Sequence, residues 1–161
     1  MKLTTTLLSL LPTLTLTLAA PSNPLIARQS SGTSTLSYDT KYDVGSTSLT
    51  TVACSDGDFG LITDGYTTFD SLPTFARIGG APTIAGWGSP SCGSCYRLTY
   101  TSAAGATNSI VVTAIDTAPG GFNVGQTAMN ELTNNRAAEL GRVNISWTLL
   151  GREECGLPAR G

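Results

Sequence analysis

The sequence predicts a small, secreted, β-rich domain folded as a compact barrel with short helical pieces. Three observations predict it: several short runs that alternate apolar and polar residues, four cysteines behind an apolar leader, and turn residues spaced through about 130 remaining positions. At 161 residues the chain has room for one such domain.

The leader comes first. Lys2 is followed by an uncharged Leu/Thr run from Leu3 to Leu18, and Ala19-Ala20 precede Pro21. A basic start, an apolar centre and small residues before the cut are the layout of a secretory signal peptide, assigned to 1–20. The competing reading, a membrane anchor, is weakened by the many threonines and by a length near the lower limit for spanning. Residues 21–32 have no apolar periodicity and are expected to form a flexible leader, with folding from Thr33 to Gly161. The protein is therefore expected outside the cell or at the cell wall.

Among the strands, Thr35–Asp39 alternates, as does Tyr96–Thr101, with Tyr96, Leu98 and Tyr100 on one side. Asn108–Ile115 is β-branched and nearly continuous, as expected of a strand covered on both faces. Ala103–Ala106 supplies a turn that makes these last two a hairpin. Val143–Leu149 places Val143, Ile145, Trp147 and Leu149 inward and Asn144, Ser146 and Thr148 outward. Two short helices are expected at Thr127–Leu132 and Arg136–Leu140. Asn134-Asn135 separates them and can cap the second, which Gly141 stops. Residues 55–88, rich in Gly, Thr, Asp and Pro, read as long surface loops with short strand pieces.

Cys54, Cys92, Cys95 and Cys155 form an even set in an oxidising compartment, hence a disulfide framework with three connectivities. Cys92-Gly-Ser-Cys95 lacks the βαβ setting of a redox motif and the second pair of a zinc site, while a bond between Cys92 and Cys95 themselves stays open. The chain has no histidine, which removes Ser-His-Asp and Cys-His catalysis and the usual zinc sites. Without Lys2, eight basic residues face eleven acidic ones, a net charge of −3, so no basic footprint for nucleic acid or anionic membrane exists. No cofactor or metal is expected.

Asp116 is the sharpest candidate for a functional group. It ends the apolar run Val111–Ile115 and opens the loop Thr117-Ala-Pro-Gly-Gly-Phe-Asn123, so a rigid strand would hold a carboxylate where a ligand can reach it. From the residues alone, accepting hydrogen bonds from loop N–H groups is the commoner role for such an aspartate. Asn123 and Asn130 offer amides, and Tyr38, Tyr42 and Trp87 offer apolar faces for a sugar ring. Core packing is the competing role for both tryptophans, strongly so for Trp147 from its strand phase. Tyr38 divides evenly between core and groove, and Asp56 in Ser55-Asp-Gly57 has turn formation as its commoner role. Asn144-Ile-Ser146 is an N-glycosylation sequon on the outward face of its strand, with occupied and bare side chains as even alternatives.

Ordered motifs across the mature chain resemble the cerato-platanins, small secreted proteins of filamentous fungi. They include Ser37-Tyr-Asp-Thr-Lys-Tyr-Asp43, Val52-Ala-Cys-Ser-Asp-Gly57, Gly60-Leu-Ile-Thr63, Gly65-Tyr-Thr-Thr-Phe69, Ile78-Gly-Gly80 and Ala85-Gly-Trp87. Cys92-Gly-Ser-Cys95, Leu98-Thr-Tyr100, Ala114-Ile-Asp116, Gly121-Phe-Asn123, Ala128-Met-Asn-Glu-Leu-Thr-Asn134 and Cys155-Gly-Leu157 follow. The resemblance implies a six-stranded double-psi β-barrel like that of expansins, with Cys54 bonded to Cys92 and Cys95 to Cys155. Tyr96 stands where the family usually has Trp, Ala76-Arg77 replaces a Pro-Asn pair, and Asn135 stands where Gly is common.

The resemblance also raises Asp116 to a ligand-contacting residue and implies chitin or N-acetylglucosamine oligomers as ligands. Expansin-like loosening of polysaccharide and recognition by a plant receptor as a defence elicitor are implied with them. Inverting hydrolysis needs two carboxyls ~6.5–9.5 Å apart. Asp39, Asp43, Asp56, Asp58, Asp64 and Asp70 are available in composition, yet none lies in a motif that marks a base. The expectation is a non-enzymatic carbohydrate binder, monomeric or self-associating, whose ligand groups are Asp116, Asn123, Asn130, Tyr38 and Asp56. A weak hydrolase using Asp116 as acid and a surface-active, self-assembling wall protein are the alternatives.

Overall fold

The computed structural model describes residues 30–160. The signal peptide expected at 1–20, and most of the leader expected after it, lie outside the described residues. Six strands close into a barrel: β1 (Ser31–Tyr38), β2 (Ile78–Ala81), β3 (Cys95–Thr101), β4 (Thr107–Thr117), β5 (Phe122–Val124) and β6 (Arg142–Leu150). Around the barrel the order is β1-β5-β2-β4-β3-β6. Strand β1 opens at Ser31, two residues before the expected start of folding.

Strands β1, β3 and β4 follow their sequence patterns, and β6 does so over its first half. β3 and β4 pair antiparallel from Cys95–Thr113 to Thr101–Thr107, the expected hairpin, and its turn closes with the Ser102 N–H donating to Ala106 O at 2.8 Å. Leu36, Leu98, Ile110, Val112 and Ile145 fill the barrel interior together with Phe122 and Val124 of β5. In β6 the alternation holds through Ser146 and then fails, since Trp147, Thr148 and Leu149 are all partly buried and Leu150 is buried. The Trp147 ring packs edge-on to Tyr96 at 5.8 Å and tilts against Phe122 at 6.3 Å. Gly32, its partner on β1, leaves the ring its space, because a Cβ there would lie 3.2 Å from the indole. Tyr96 keeps the aromatic contact despite replacing the family's Trp, and its hydroxyl adds a 2.6 Å hydrogen bond with Thr83.

The two short strands supply the parallel pairings, β1 with β5 and β2 with β4. Gly79 and Gly80 make this closure geometrically feasible. A Cβ on Gly79 would run into the Asn123 carbonyl of β5, and one on Gly80 would come within 2.8 Å of the Thr117 carbonyl of β4. All four residues of β2 are buried. The short strand piece expected within 55–88 is present as β2, but the surface placement of this stretch needs correction, because it contributes the buried side chains Leu61, Phe69, Leu72 and Ile78. It is tied to β4 by the Thr74–Thr113 hydroxyl pair (2.6 Å) and, at the residue just before it, by the Cys54 N–H on Ile115 O (3.1 Å). Those ties explain why β4 is apolar on both faces.

Cys54 is bonded to Cys92 and Cys95 to Cys155, with Cα separations of 5.3 and 5.7 Å, the pairing the resemblance implies. Helix α1 spans Gln126–Thr133 and helix α2 Ala137–Leu140. Gly141 ends α2 with φ 61°, as expected. Asn134 and Asn135 break the helices through left-handed backbone, φ 56° and 64°, which also accounts for the family's glycine at 135. They do not cap α2, contrary to expectation. Asn130 Oδ1 does so from the preceding helix, accepting the Ala137 N–H at 3.0 Å.

The Cys95–Cys155 bridge closes a loop 60 residues long. Replacing both cysteines by alanine is expected to lower unfolding free energy by ~4 kcal/mol on the chain-entropy relation, read as a shifted midpoint in guanidinium unfolding. Gly79→Ala is expected to cost about 1–3 kcal/mol or more in the same assay, since the obstacle is β5 backbone rather than a movable side chain.

Candidate functional site

Asp116 sits at the end of β4, where the strand's long hydrogen-bonded stretch fixes its backbone, and its side chain is only 14% exposed. Four donors converge on the carboxylate. Oδ1 accepts the Thr117 N–H at 2.9 Å and the Ala53 N–H at 3.1 Å. Oδ2 accepts the Tyr42 hydroxyl at 3.0 Å and the Lys41 ammonium at 3.3 Å. The group thus receives the loop N–H bonds expected of an aspartate at a turn, and one edge of it meets a half-exposed lysine at the surface.

The Lys41–Tyr42 pair is delivered by a one-turn 3-10 helix, Thr40–Asp43. Asp39 starts this turn by accepting the Lys41 N–H at 2.9 Å. Asp43 ends it and accepts the Gln126 and Thr127 N–H groups, at 2.8 and 3.1 Å, so the first turn of α1 is anchored beside the site. Tyr42, expected to offer a face to sugar, is corrected by its burial: it is 1% exposed, with its ring 6.1 Å from that of Phe69. Burial, first, and then the negative charge and hydrogen bond of Asp116 push its phenol far above the ordinary tyrosine range, with a smaller push from Asp39. Lys41 was not anticipated. Its place in a Tyr-Asp-Thr-Lys-Tyr-Asp run beside two aspartates was the only sequence signal.

Asp56 and Trp87 form a second feature. Trp87 is 68% exposed, which settles the choice between core and surface. Its indole Nε1–H donates to Asp56 Oδ1 at 2.7 Å, and its ring edge lies over Gly57, where a Cβ would approach to 3.1 Å. The indole N–H, and after it the Ser55 hydroxyl, hold the Asp56 carboxyl below its usual range. Asp56 lies three residues beyond Ala53, so at most ~11 Å of chain separates it from the residue that binds Asp116.

The remaining candidates divide. Asn123 lies on β5 between β1 and β2, paired with Ser37 and Gly80, and Gly80 in turn pairs with Asp116. Its Oδ1 accepts from the Ser37 hydroxyl at 3.3 Å, and that hydroxyl receives Arg142 Nη2 at 3.1 Å. Asn123 is therefore two strands from Asp116 around the barrel. The Asn130 side-chain oxygen caps α2, accepting the Ala137 N–H. Tyr38 is partly buried and packs against the core at the end of β1. Of the aspartates considered as a second acid, Asp64 accepts from both Arg152 (2.7 Å) and Arg160 (2.6 Å), and Asp70 from Thr68. No carboxylate takes part in the hydrogen bonds at Asp116. Among the described residues, no three metal-ligating side chains cluster.

Comparison with known proteins gives concordant results. A family model described as Cerato-platanin matches residues 34–157. Allergen Asp f 15 of Aspergillus fumigatus is 51% identical over 138 residues, 86% of this chain and 86% of that protein. The crystal structure of cerato-platanin 1 from M. perniciosa is 50% identical, with a TM-score of 0.73 over 75% of this chain and 98% of that one. The solution structure of the fungal elicitor Cerato-Platanin is 41% identical, with a TM-score of 0.65 over 75% and 95%.

Tyr42 sets an alkaline limit. Its folded pKa is raised, so its contribution to stability is complete below about pH 10, the value of a free phenol, and is lost as pH rises from there toward the folded value. Spectrophotometric titration of the native protein is expected to show one tyrosine that ionises only as the fold is lost. Tyr42→Phe should remove that event and cost about 1–3 kcal/mol in denaturant unfolding, through the unmet bond at Asp116.

Proposed function

The chain belongs to the cerato-platanin family, and from that premise we propose that it is a secreted, non-enzymatic protein that binds cell-wall polysaccharide. Chitin and N-acetylglucosamine oligomers are the ligands proposed, and expansin-like loosening of the wall follows from binding without cleavage. The observation that carries this reading is the exposed Trp87, held in one orientation by Asp56 and Gly57. An aromatic plate fixed at the surface suits the C–H face of a sugar ring, while adjacent carboxylate oxygens suit its hydroxyls. A side chain pinned before binding also loses less conformational freedom on contact.

The arrangement of Asp116 supports binding over hydrolysis. It accepts in all four of its hydrogen bonds, and no second carboxylate joins it there to activate water. The polar, weakly charged surface fits a neutral polymer. One solved relative is named a fungal elicitor; for this chain, detection by a plant receptor is a proposal that depends on exposure of the same secreted domain.

Titration of labelled protein with chitin oligomers is expected to perturb resonances near Trp87, Asp56 and Asp116. Trp87→Ala should weaken binding by about two- to tenfold, the equivalent of ~0.5–1.5 kcal/mol for one aromatic contact. Absence of perturbation at these residues would overturn the proposed surface. Release of reducing ends from chitin by purified protein, abolished in Asp116→Asn, would overturn the non-enzymatic reading.

A further inference from the structure

A groove of about 920 Å³ runs over the outer face of the barrel, away from the residues just discussed: neither Asp116 nor Trp87 lines it. Its floor is the hydroxyl-bearing outer side of β1, β6 and β3, with Thr33, Thr35, Thr99 and Ser146, and its wall is the Pro119–Gly120 turn. The floor is rigid. Thr35 Oγ1 donates to Gly120 O at 3.1 Å and receives Arg142 Nη1 at 2.7 Å, while the Thr99 hydroxyl pairs with that of Ser109 at 2.8 Å.

Asn144 lies in this groove and heads the sequence Asn144-Ile-Ser146. Because side chains two apart on a strand share a face, Asn144 and Ser146 point outward together, and both are exposed, whereas Ile145 between them is 4% exposed. Asn144 is opposite Thr35 of β1. On its other side the ladder with β3 ends at Thr99–Ser146, two residues short of Asn144. The amide therefore stands where β6 and β3 part, at the edge of a concave surface whose volume is in the range that holds a small organic ligand, ~300–1,000 Å³.

We propose that Asn144 carries an N-linked glycan and that the first sugars of this glycan lie in the groove. The donor is a lipid-linked oligosaccharide diphosphate met in the secretory pathway. The Asn144 amide nitrogen attacks C1 of the N-acetylglucosamine bonded to the diphosphate; the N–C1 bond forms as the C1–O bond to the diphosphate breaks. The lipid diphosphate leaves with the electron pair, and the amide loses one proton. Ser146 supplies the hydroxyl that makes the asparagine an acceptor. Once attached, the sugar meets the threonine hydroxyls of the floor and the Pro119 ring of the wall. This face of the barrel is then occupied by the chain's own carbohydrate, which leaves the Trp87 surface for external polysaccharide. The inference rests on secretion and on the groove, and not on polysaccharide binding.

The test uses the full chain secreted from a filamentous-fungal or yeast host. Intact mass is expected to show a hexosamine-containing addition on wild type and on Ser146→Thr, and none on Asn144→Gln or Ser146→Ala. If a variant is not secreted, wild-type protein deglycosylated in heavy-oxygen water should show conversion to labelled aspartate at position 144. Unmodified wild type, or an addition that persists in Asn144→Gln, overturns the attachment. For the seat, peptide-N-glycosidase is expected to release the glycan at least about tenfold more slowly from native than from reduced, denatured protein, since local order limits access. Equal rates overturn the seat and leave the attachment standing.

Discussion

The carboxylate of Asp116 joins three parts of the chain that sequence separates widely. It takes the N–H of Thr117 at its own strand's end, the side chains of Lys41 and Tyr42 from the turn after β1, and the N–H of Ala53 from the long excursion before β2. Next to it the Cys54 N–H bonds Ile115 O, and Cys54 is linked to Cys92. The Cys92 carbonyl then accepts from both Arg152 and Arg160, which also grip Asp64. Loss of the carboxylate would strand the Tyr42 hydroxyl and two backbone N–H groups, those of Thr117 and Ala53, and a buried group left unsatisfied costs about 1–3 kcal/mol. The half-exposed Lys41 contributes far less, in line with surface ion pairs at ~0–1 kcal/mol. The hydrogen bonds therefore dominate, and the lysine is the replaceable member of the cluster.

Four strands were legible in the sequence because each is long enough to display its period: β1, β3, β4 and β6 run from seven to eleven residues. β2 was anticipated only as one of the unplaced short strand pieces within 55–88, and β5 was not read as a strand. At four and three residues they are too short for alternation to register, and the Gly79-Gly80 pair imitates a turn. The physical requirement there is the opposite of a turn's. Those glycines permit two neighbouring backbones to approach from either side, a demand set by strands that lie far away in sequence. The limit on reading β6 has a related origin, since its phase is clean where one face meets solvent and vanishes where Trp147 and Leu149 approach the covered end of the barrel.

The site was legible in part for the same reason. Asp116 could be singled out because a carboxylate at the end of an apolar run is a local pattern. Lys41, Tyr42 and Ala53 could not be assigned to it, since only the closed barrel brings them together. Asn130 was picked for an amide near Asp116 in sequence, and its role in the fold could not be read there: the turn at Asn134-Asn135 folds α2 back so that the Ala137 N–H takes its oxygen. Trp87 was ambiguous in sequence because a Gly-Trp-Gly setting has no periodicity to assign a face.

The distribution of acidic groups bears on function more than any one of them does. Asp39 holds the Lys41 N–H, Asp43 anchors α1, Asp64 binds two arginines, Asp70 receives Thr68, and Asp116 gathers four donors. With only seven aspartates in the chain, most are thus engaged in holding turns and excursions onto the barrel. Acid–base hydrolysis requires two carboxyls left free to exchange protons across one bond, and a scaffold that engages its carboxylates as acceptors works against that requirement. Asp56 differs because its structural partner is itself an exposed aromatic ring, so the bond that orders the carboxylate also orders a surface.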